Sequence, residues 1–364
     1  MSALVAAAAA LPGLHAVPEA SAQNMAEQAQ FRFQYAYYKD WQGAGQDRIS
    51  VRAPMAWLKT PVGESTEFEG SVVLDTISGA SPLYHDTLTG ASGIGIEDER
   101  FAGQAKVTEY FDDYSIGVNT SYSKEDDYES RGVAIDGRVW NENKSTTFAF
   151  GLSGNSDDIS STNNPDLDET SNTFGGLLGV TQVINKNSLL QSNLTFSRSS
   201  GYLSDPYKPG DIRPEERNRF AWLNRYVLYV PDLKGSFHLD YRHYRDSWGV
   251  NSHTFDSMWF QPIGEVWTLR PHVRFYSQSK ADFFSNVFPD PTPGRAFSAD
   301  QRLSGFGEIT LGLKVIRDFG KDFSMHVGVD LVEQRGAWKI GSRGSPNIEN
   351  FHEAILAFGF SKTF

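Results

Sequence analysis

Cysteine is absent from all 364 residues, which removes disulfide frameworks, thiolate metal sites and thiol nucleophiles together. The absence also suits a chain that crosses an oxidising periplasm. Beyond residue 22 no uncharged apolar run reaches about eighteen residues, so a helical membrane span is excluded. Basic residues are in deficit: 33 Lys and Arg against 45 Asp and Glu leave a net charge of −12. The cationic footprint of a phosphate-binding surface is missing, and no nucleic-acid partner is expected. Neither HExxH nor GxSxG occurs and no His pair is close in sequence, so catalytic residues are not expected and the chain is not read as an enzyme. Heptads, internal repeats and low-complexity tracts are not evident either.

What is present begins with an apolar segment, Met1 to Ala22, ending in Ala20-Ser21-Ala22. Small residues in that pattern mark a secretory cleavage site. The segment is expected to be a signal peptide at 1–22, followed by a single domain at 23–364. No Lys or Arg precedes Arg32, so its basic n-region is expected to be incomplete. Secretion without a helical anchor leaves the periplasm, the exterior or the outer membrane.

A two-residue period decides among these, because a strand places successive side chains on opposite faces and a lipid-facing barrel strand therefore alternates apolar and polar. Trp267, Leu269, Val273 and Phe275 share one face with Pro271, while Arg270, His272 and Arg274 share the other. The same beat runs through Leu190/Leu194/Phe196, Phe31/Phe33/Tyr35/Tyr37, Val51/Ala53/Met55/Trp57, Ile309/Leu311/Leu313/Val315 and Met325/Val327/Val329/Leu331. Such segments number about sixteen, in the even-numbered range of bacterial outer-membrane barrels.

The connections between segments alternate in length. Short turns near 61, 111, 141, 184, 231, 262 and 317 alternate with longer polar stretches at 39–47, 77–101, 156–171, 199–216, 279–300 and 334–351. Short periplasmic turns, long extracellular loops and both termini in the periplasm describe an all-β, antiparallel transmembrane barrel. The chain closes with Leu356, Phe358, Phe360 and Phe364 in phase. That pattern resembles the C-terminal strand through which the barrel-assembly machinery recognises its substrates, and Lys362 is expected at the periplasmic interface. A soluble β-sandwich also alternates, but it rarely pairs every short turn with a long loop.

The polar faces collect Arg32, Arg52, Glu69, Asp75, Lys106, Asp136, Arg138, Asp240, Arg242, Arg270, His272, Arg274, Glu308, Lys314 and Asp330. A barrel of this width holds water, so these charges either form a transverse field that selects polar solutes or a mutually paired lining without selectivity. Carboxylates crowd the extracellular connections: Glu97 to Glu99, Glu125 to Asp127, Asp157 and Asp158, and Asp166, Asp168 and Glu169. Such clusters can take Ca²⁺ or bridge to lipopolysaccharide through divalent ions. No resident cofactor is expected.

Several loop-edge stretches carry a family resemblance: SGASP from Ser78, GIEDER from Gly95, YSKEDDYESR from Tyr122, NKNSLLQSNLTFSRSSGYLSDPYK from Asn185, RPEERN from Arg213, LDYRHYRDSWGVNSHT from Leu239 and YSQSKADFF from Tyr276. In number and order they resemble the domain-of-unknown-function 3570 family of bacterial outer-membrane proteins, over nearly the whole mature chain. The resemblance implies an outer-membrane location in a Gram-negative cell, among outer-membrane lipid and lipopolysaccharide. It also implies an association with small lipoproteins, thioredoxin-like proteins and flavoproteins, and it supplies no ligand.

These stretches fall at the extracellular strand ends, where Asp75, Asp126, Asp127, Arg131, Asp205, Arg242, Arg245 and Asp246 are the candidate rim residues. They are read either as a gate or ligand site, built from arginine–carboxylate pairs, or as braces that lock loops to the wall. Arg138, Asp240, Arg270, His272 and Arg274 are the candidate lumen lining. Two functions follow: a channel or gated pore for small polar solutes, or a non-conducting scaffold for a periplasmic or extracellular redox or metal-handling system.

Overall fold

The computed structural model describes residues 24–42, 46–79, 96–208, 210–286, 295–346 and 348–364. The expected signal peptide and the loop at 80–95 lie outside the described residues. The described residues form sixteen strands: β1 (Gln30–Gln42), β2 (Gln46–Val62), β3 (Thr66–Gly79), β4 (Ile96–Tyr110), β5 (Tyr114–Lys124), β6 (Tyr128–Trp140), β7 (Thr146–Ile159) and β8 (Glu169–Asn185). They continue as β9 (Ser188–Gly201), β10 (Glu216–Val230), β11 (Gly235–Asp246), β12 (Asn251–Ile263), β13 (Trp267–Gln278), β14 (Phe306–Asp318), β15 (Phe323–Arg335) and β16 (Phe351–Thr363). Each pairs antiparallel with its chain neighbours, and β1 closes on β16 with Phe33 opposite Phe360. The result is a closed antiparallel barrel, the only sheet arrangement that leaves no edge unpaired.

The outer wall carries the apolar phase. Val133, Ile135, Phe148, Phe150, Leu152, Leu311, Leu313, Val327, Val329 and Leu331 are all exposed, a continuous band that only lipid would cover. Aromatic rings cluster near the short-turn end, where Phe31, Phe33 and Phe323 all pack around Phe360. Lys362 lies at the same end and donates to the Lys321 carbonyl in the β14–β15 turn at 2.6 Å.

One face assignment is reversed. In β2 both phases contain apolar residues, and Val51, Ala53 and Trp57 turn into the lumen while Arg52 is exposed on the outside. Val51 and Ala53 pack with Ala36, Tyr38 and Ile355 in a small luminal core, and the Trp57 indole donates to Glu69 at 3.0 Å. Pro54, Leu58 and Val62 supply the outward phase instead, so alternation alone could not choose the side.

The strands also run further than their alternation suggests, chiefly at the long-loop end: β1 continues to Gln42, β4 starts at Ile96 and β7 reaches Ile159. A spanning strand needs about 9–11 residues, and these have 13, 15 and 14. Above the lipid both faces meet water or loops, so the two-residue period disappears while the hydrogen-bonded ladder continues. The connection expected at 39–47 shrinks accordingly to the few residues between Gln42 and Gln46.

Candidate functional site

On the luminal wall, ladder register decides which charges can meet. Arg225 of β10 stands opposite Asp240 of β11 and donates to it at 2.8 Å through Nε. Lys106 donates to Asp136 at 2.8 Å. His272 is held between two carboxylates, its Nδ1 3.2 Å from Asp330 and its Nε2 3.2 Å from Asp256. A ring that donates at both nitrogens carries both protons, so this geometry is that of an imidazolium. Gly312 makes the clamp possible, because a Cβ there would fall on the Asp330 carboxylate. Arg138 shares the luminal face of β6, and Arg270 and Arg274 share that of β13.

At the rim the candidate residues do not form one constellation. Asp75 pairs with Arg100, whose Nε donates at 2.8 Å. Asp127 accepts from the Tyr207 hydroxyl. Arg131 is exposed on the outside and pairs with Glu129 and with Asp158 at 3.2 Å. Asp126 is exposed at the β5–β6 turn. Arg242 lies over the Tyr244 ring at 5.4 Å and Arg245 faces outward, and neither makes an ion pair among the described residues.

Asp246 is a brace. It accepts from Arg217 Nε at 2.9 Å, from the Tyr244 hydroxyl at 2.8 Å and from the backbone amides of Trp248 and Val250, each at 3.0 Å. A carboxylate that caps its own turn fixes the β11–β12 loop in one shape. Trp248 is thereby tucked down, with Arg217 stacked 4.1 Å from its ring.

The expected residue Asp205 belongs instead to a network that joins two loops, 202–215 between β9 and β10 and 279–305 between β13 and β14. Asp205 accepts from Arg302 at 3.0 Å and lies 3.5 Å from Lys208. Asp300 accepts from Lys208 at 2.9 Å, from Arg213 at 3.0 Å and from Arg302. Arg213 also donates to Asp211 at 2.7 Å. The backbones bond as well, since Ile212 and Phe297 exchange both hydrogen bonds at 2.8 Å. Three carboxylates therefore meet three cations, and Asp300 and Lys208 are buried. Burial alone would raise the Asp300 carboxyl, but Arg302, Lys208 and Arg213 outweigh it and hold the group well below the ordinary carboxylate range. Asp205 is lowered in the same way, against its burial, by Lys208 and Arg302. Burial lowers Lys208, and Asp300 opposes that.

Position gives the network its meaning. Gln301 meets Gln42 of β1 at 3.3 Å, while the next residue, Arg302, bonds the β9–β10 loop. β1 and β9 are eight strands apart in either direction around the ring. Residues 301 and 302 thus link β1 to a loop rooted on the opposite side of the ring, so the described parts of these loops form a cap at the mouth. An apolar layer binds the cap to one side of the rim: Trp248, Val250, Ala281, Phe284 and Leu303, with Ile348 packed against them. Tyr207 fastens the other side, bonding Asp127 and the Thr162 amide, the latter at 3.1 Å.

Asp211, Asp300 and Arg302 are not singled out by the sequence, and Lys208 and Arg213 stand there only as ends of family-like stretches, with no role. Their signal is a matched set of acids and bases within two loops, but nothing in either loop says that they meet. Among the described residues no group of three His, Asp or Glu side chains forms a metal site.

In sequence no curated protein matches the chain. Among solved structures, a bacterial polysaccharide outer membrane secretin aligns over 94% of this chain and 100% of its own, at 7% identity and a TM-score of 0.53. CdiB from Acinetobacter baumannii aligns over 91% of this chain, which spans 60% of CdiB, at 8% identity and a TM-score of 0.53. At such identities the likeness is one of fold, and the fold is that of outer-membrane β-barrels. The family model of DUF3570, a protein family of unknown function, matches residues 1–358, so the chain belongs to that family.

Proposed function

We propose that this member of the DUF3570 family is a gated outer-membrane pore for small polar solutes, with its capped mouth outside the cell and both termini in the periplasm. A closed barrel with an apolar belt and a charged, half-buried interior supports a water-filled passage. The observation that carries the gate is the placement of Gln301 and Arg302 between β1 and the loop that follows β9, eight strands away. A cap held by mutually compensated ion pairs has one stable closed arrangement. Removing any member leaves buried charge without a partner, which destabilises that arrangement strongly.

Planar-bilayer recording of purified protein tests the reading. The wild type should open rarely, and Asp300→Asn combined with Arg302→Gln should give larger and longer-lived steps from an intact barrel. A folded barrel that is silent in both forms would overturn the pore and favour a non-conducting scaffold, which co-purification with a lipoprotein, a thioredoxin-like protein or a flavoprotein would then identify.

A further inference from the structure

Below the cap, one sector of the lumen gathers cations that its carboxylates do not bond. Arg270 of β13 and Lys314 of β14 stand directly opposite each other across the ladder, a like-charge pair that disfavours the fold unless something compensates it. Asp256 and Asp330 are the nearby carboxylates, and both are turned to His272. Arg274 faces Asp256 across the β12–β13 ladder, yet Asp256 bonds the histidine instead. Asp240 is taken by Arg225. Arg242, Arg270, Arg274 and Lys314 thus make no ion pair among the described residues, although Glu308 and Glu353 lie within electrostatic reach of Arg274, and Asp256 and Asp330 within that of Arg270.

The guanidinium groups rest on rings instead. Arg242 lies over Tyr244 at 5.4 Å, Arg270 over Phe260 at 5.6 Å and Arg274 over Tyr276 at 5.9 Å. An aromatic face holds a guanidinium in place while leaving its edge donors available. At Arg270 the Nε is buried and has no hydrogen-bond partner, and a buried donor without an acceptor is costly enough to call for one.

We infer that Arg270 and Lys314, with Arg274 and Arg242 on the mouth side of them, form a luminal binding strip for a small dicarboxylate or phosphate-type oxyanion. Such an anion supplies what the wall lacks: paired oxygens for the guanidinium edge and a charge between two opposed cations. His272 contributes by occupying Asp256 and Asp330, so that neither carboxylate forms an ion pair with a cation of the strip. The inference rests on the pore reading, for which it names the class of solute.

Isothermal titration of the full barrel in detergent micelles, with succinate and with inorganic phosphate against chloride at matched ionic strength, tests binding without requiring conductance. Saturable binding of one or both to the wild type is expected. Lys314→Gln and Arg270→Gln should weaken it by about tenfold or more, Lys314→Arg should retain it, and heat-modifiability should confirm each barrel. No saturable binding to the wild type, or equal binding to the Gln variants, would overturn the strip. Binding by a barrel that never conducts would overturn the pore and leave the strip standing. Conductance without such binding would do the reverse.

Discussion

Gln301 meets Gln42 at 3.3 Å across a ring in which the loop that carries Gln301 is rooted three and four strands from β1. Because the next residue, Arg302, bonds Asp205 on the far side of the ring, this loop lies over the opening. The cap and its ion pairs are therefore one object, and their chemistry can be tested separately from the barrel.

Asp300→Asn should release the cap while leaving the wall intact. Lys208, Arg213 and Arg302 would lose their shared carboxylate charge, a change worth about 3–5 kcal/mol when a buried pair is broken. Cleavage by an added protease within 202–215 and 295–305 should accelerate at least about a hundredfold, since cleavage tracks the open population. Unchanged cleavage would mean that the apolar layer around Trp248 alone holds the cap.

Acid should open the cap by the same route. The Asp300 and Asp205 carboxyls lie below their ordinary value of 3.8 in the folded cap, so the unfolded loops bind more protons between the two values. Their stabilisation is complete above the ordinary value and is lost as pH falls through the lower folded one. Pepsin digestion should therefore leave the cap intact near the ordinary value and sever it only further into acid. Asp300→Asn should be severed at both ends of that range, and cleavage of the wild type that does not change with pH across it would contradict this.

Orientation can be read with thiol labels, because no native cysteine competes. Membrane-impermeant labelling of intact cells should modify Ser160→Cys and Arg343→Cys, both exposed at the long-loop end, and spare Asn187→Cys in the β8–β9 turn. The reverse pattern would invert the barrel.

Gly312→Ala should displace the Asp330 carboxylate from His272, because the added methyl would occupy its place and lie 3.1 Å from the ring Nδ1. A loss of about 1–3 kcal/mol is expected from such overpacking, read as a lower unfolding temperature. In ¹⁵N spectra the His272 ring should lose one of its two bound protons at neutral pH. A doubly protonated ring in the variant would show that Asp256 suffices.

Sixteen strands, their order and the alternation of short and long connections were legible because lipid imposes a strict period on the wall. Where lipid ends, so does the signal: the polar tops of β4 and β7 continue the ladder with no sequence mark. In β2 both phases are apolar, so Arg52 was placed inside although it faces out. The lumen candidates Asp240, Arg270, His272 and Arg274 follow from parity, but which carboxylate serves which cation does not, because His272 draws Asp256 diagonally away from Arg274. The rim residues Asp75, Asp205 and Asp246 were recognised as a type, and their partners were not. Arg100 and Arg217 lie on neighbouring strands, where pairing depends on register, and Arg302 reaches Asp205 from a distant loop whose path no local pattern encodes.

A ring of strands yields most easily by flattening into an oval, since that needs only small hinge rotations between neighbours and breaks no ladder. The contact from Gln42 through residues 301 and 302 to Asp205 is a chord laid across that ring. A chord resists the lengthening of its own diameter, so a capped barrel is stiffer in cross-section along the β1–β9 line than across it. Loosening the cap would thus also soften the tube beneath, and lateral pressure from the surrounding bilayer would be felt by the cap.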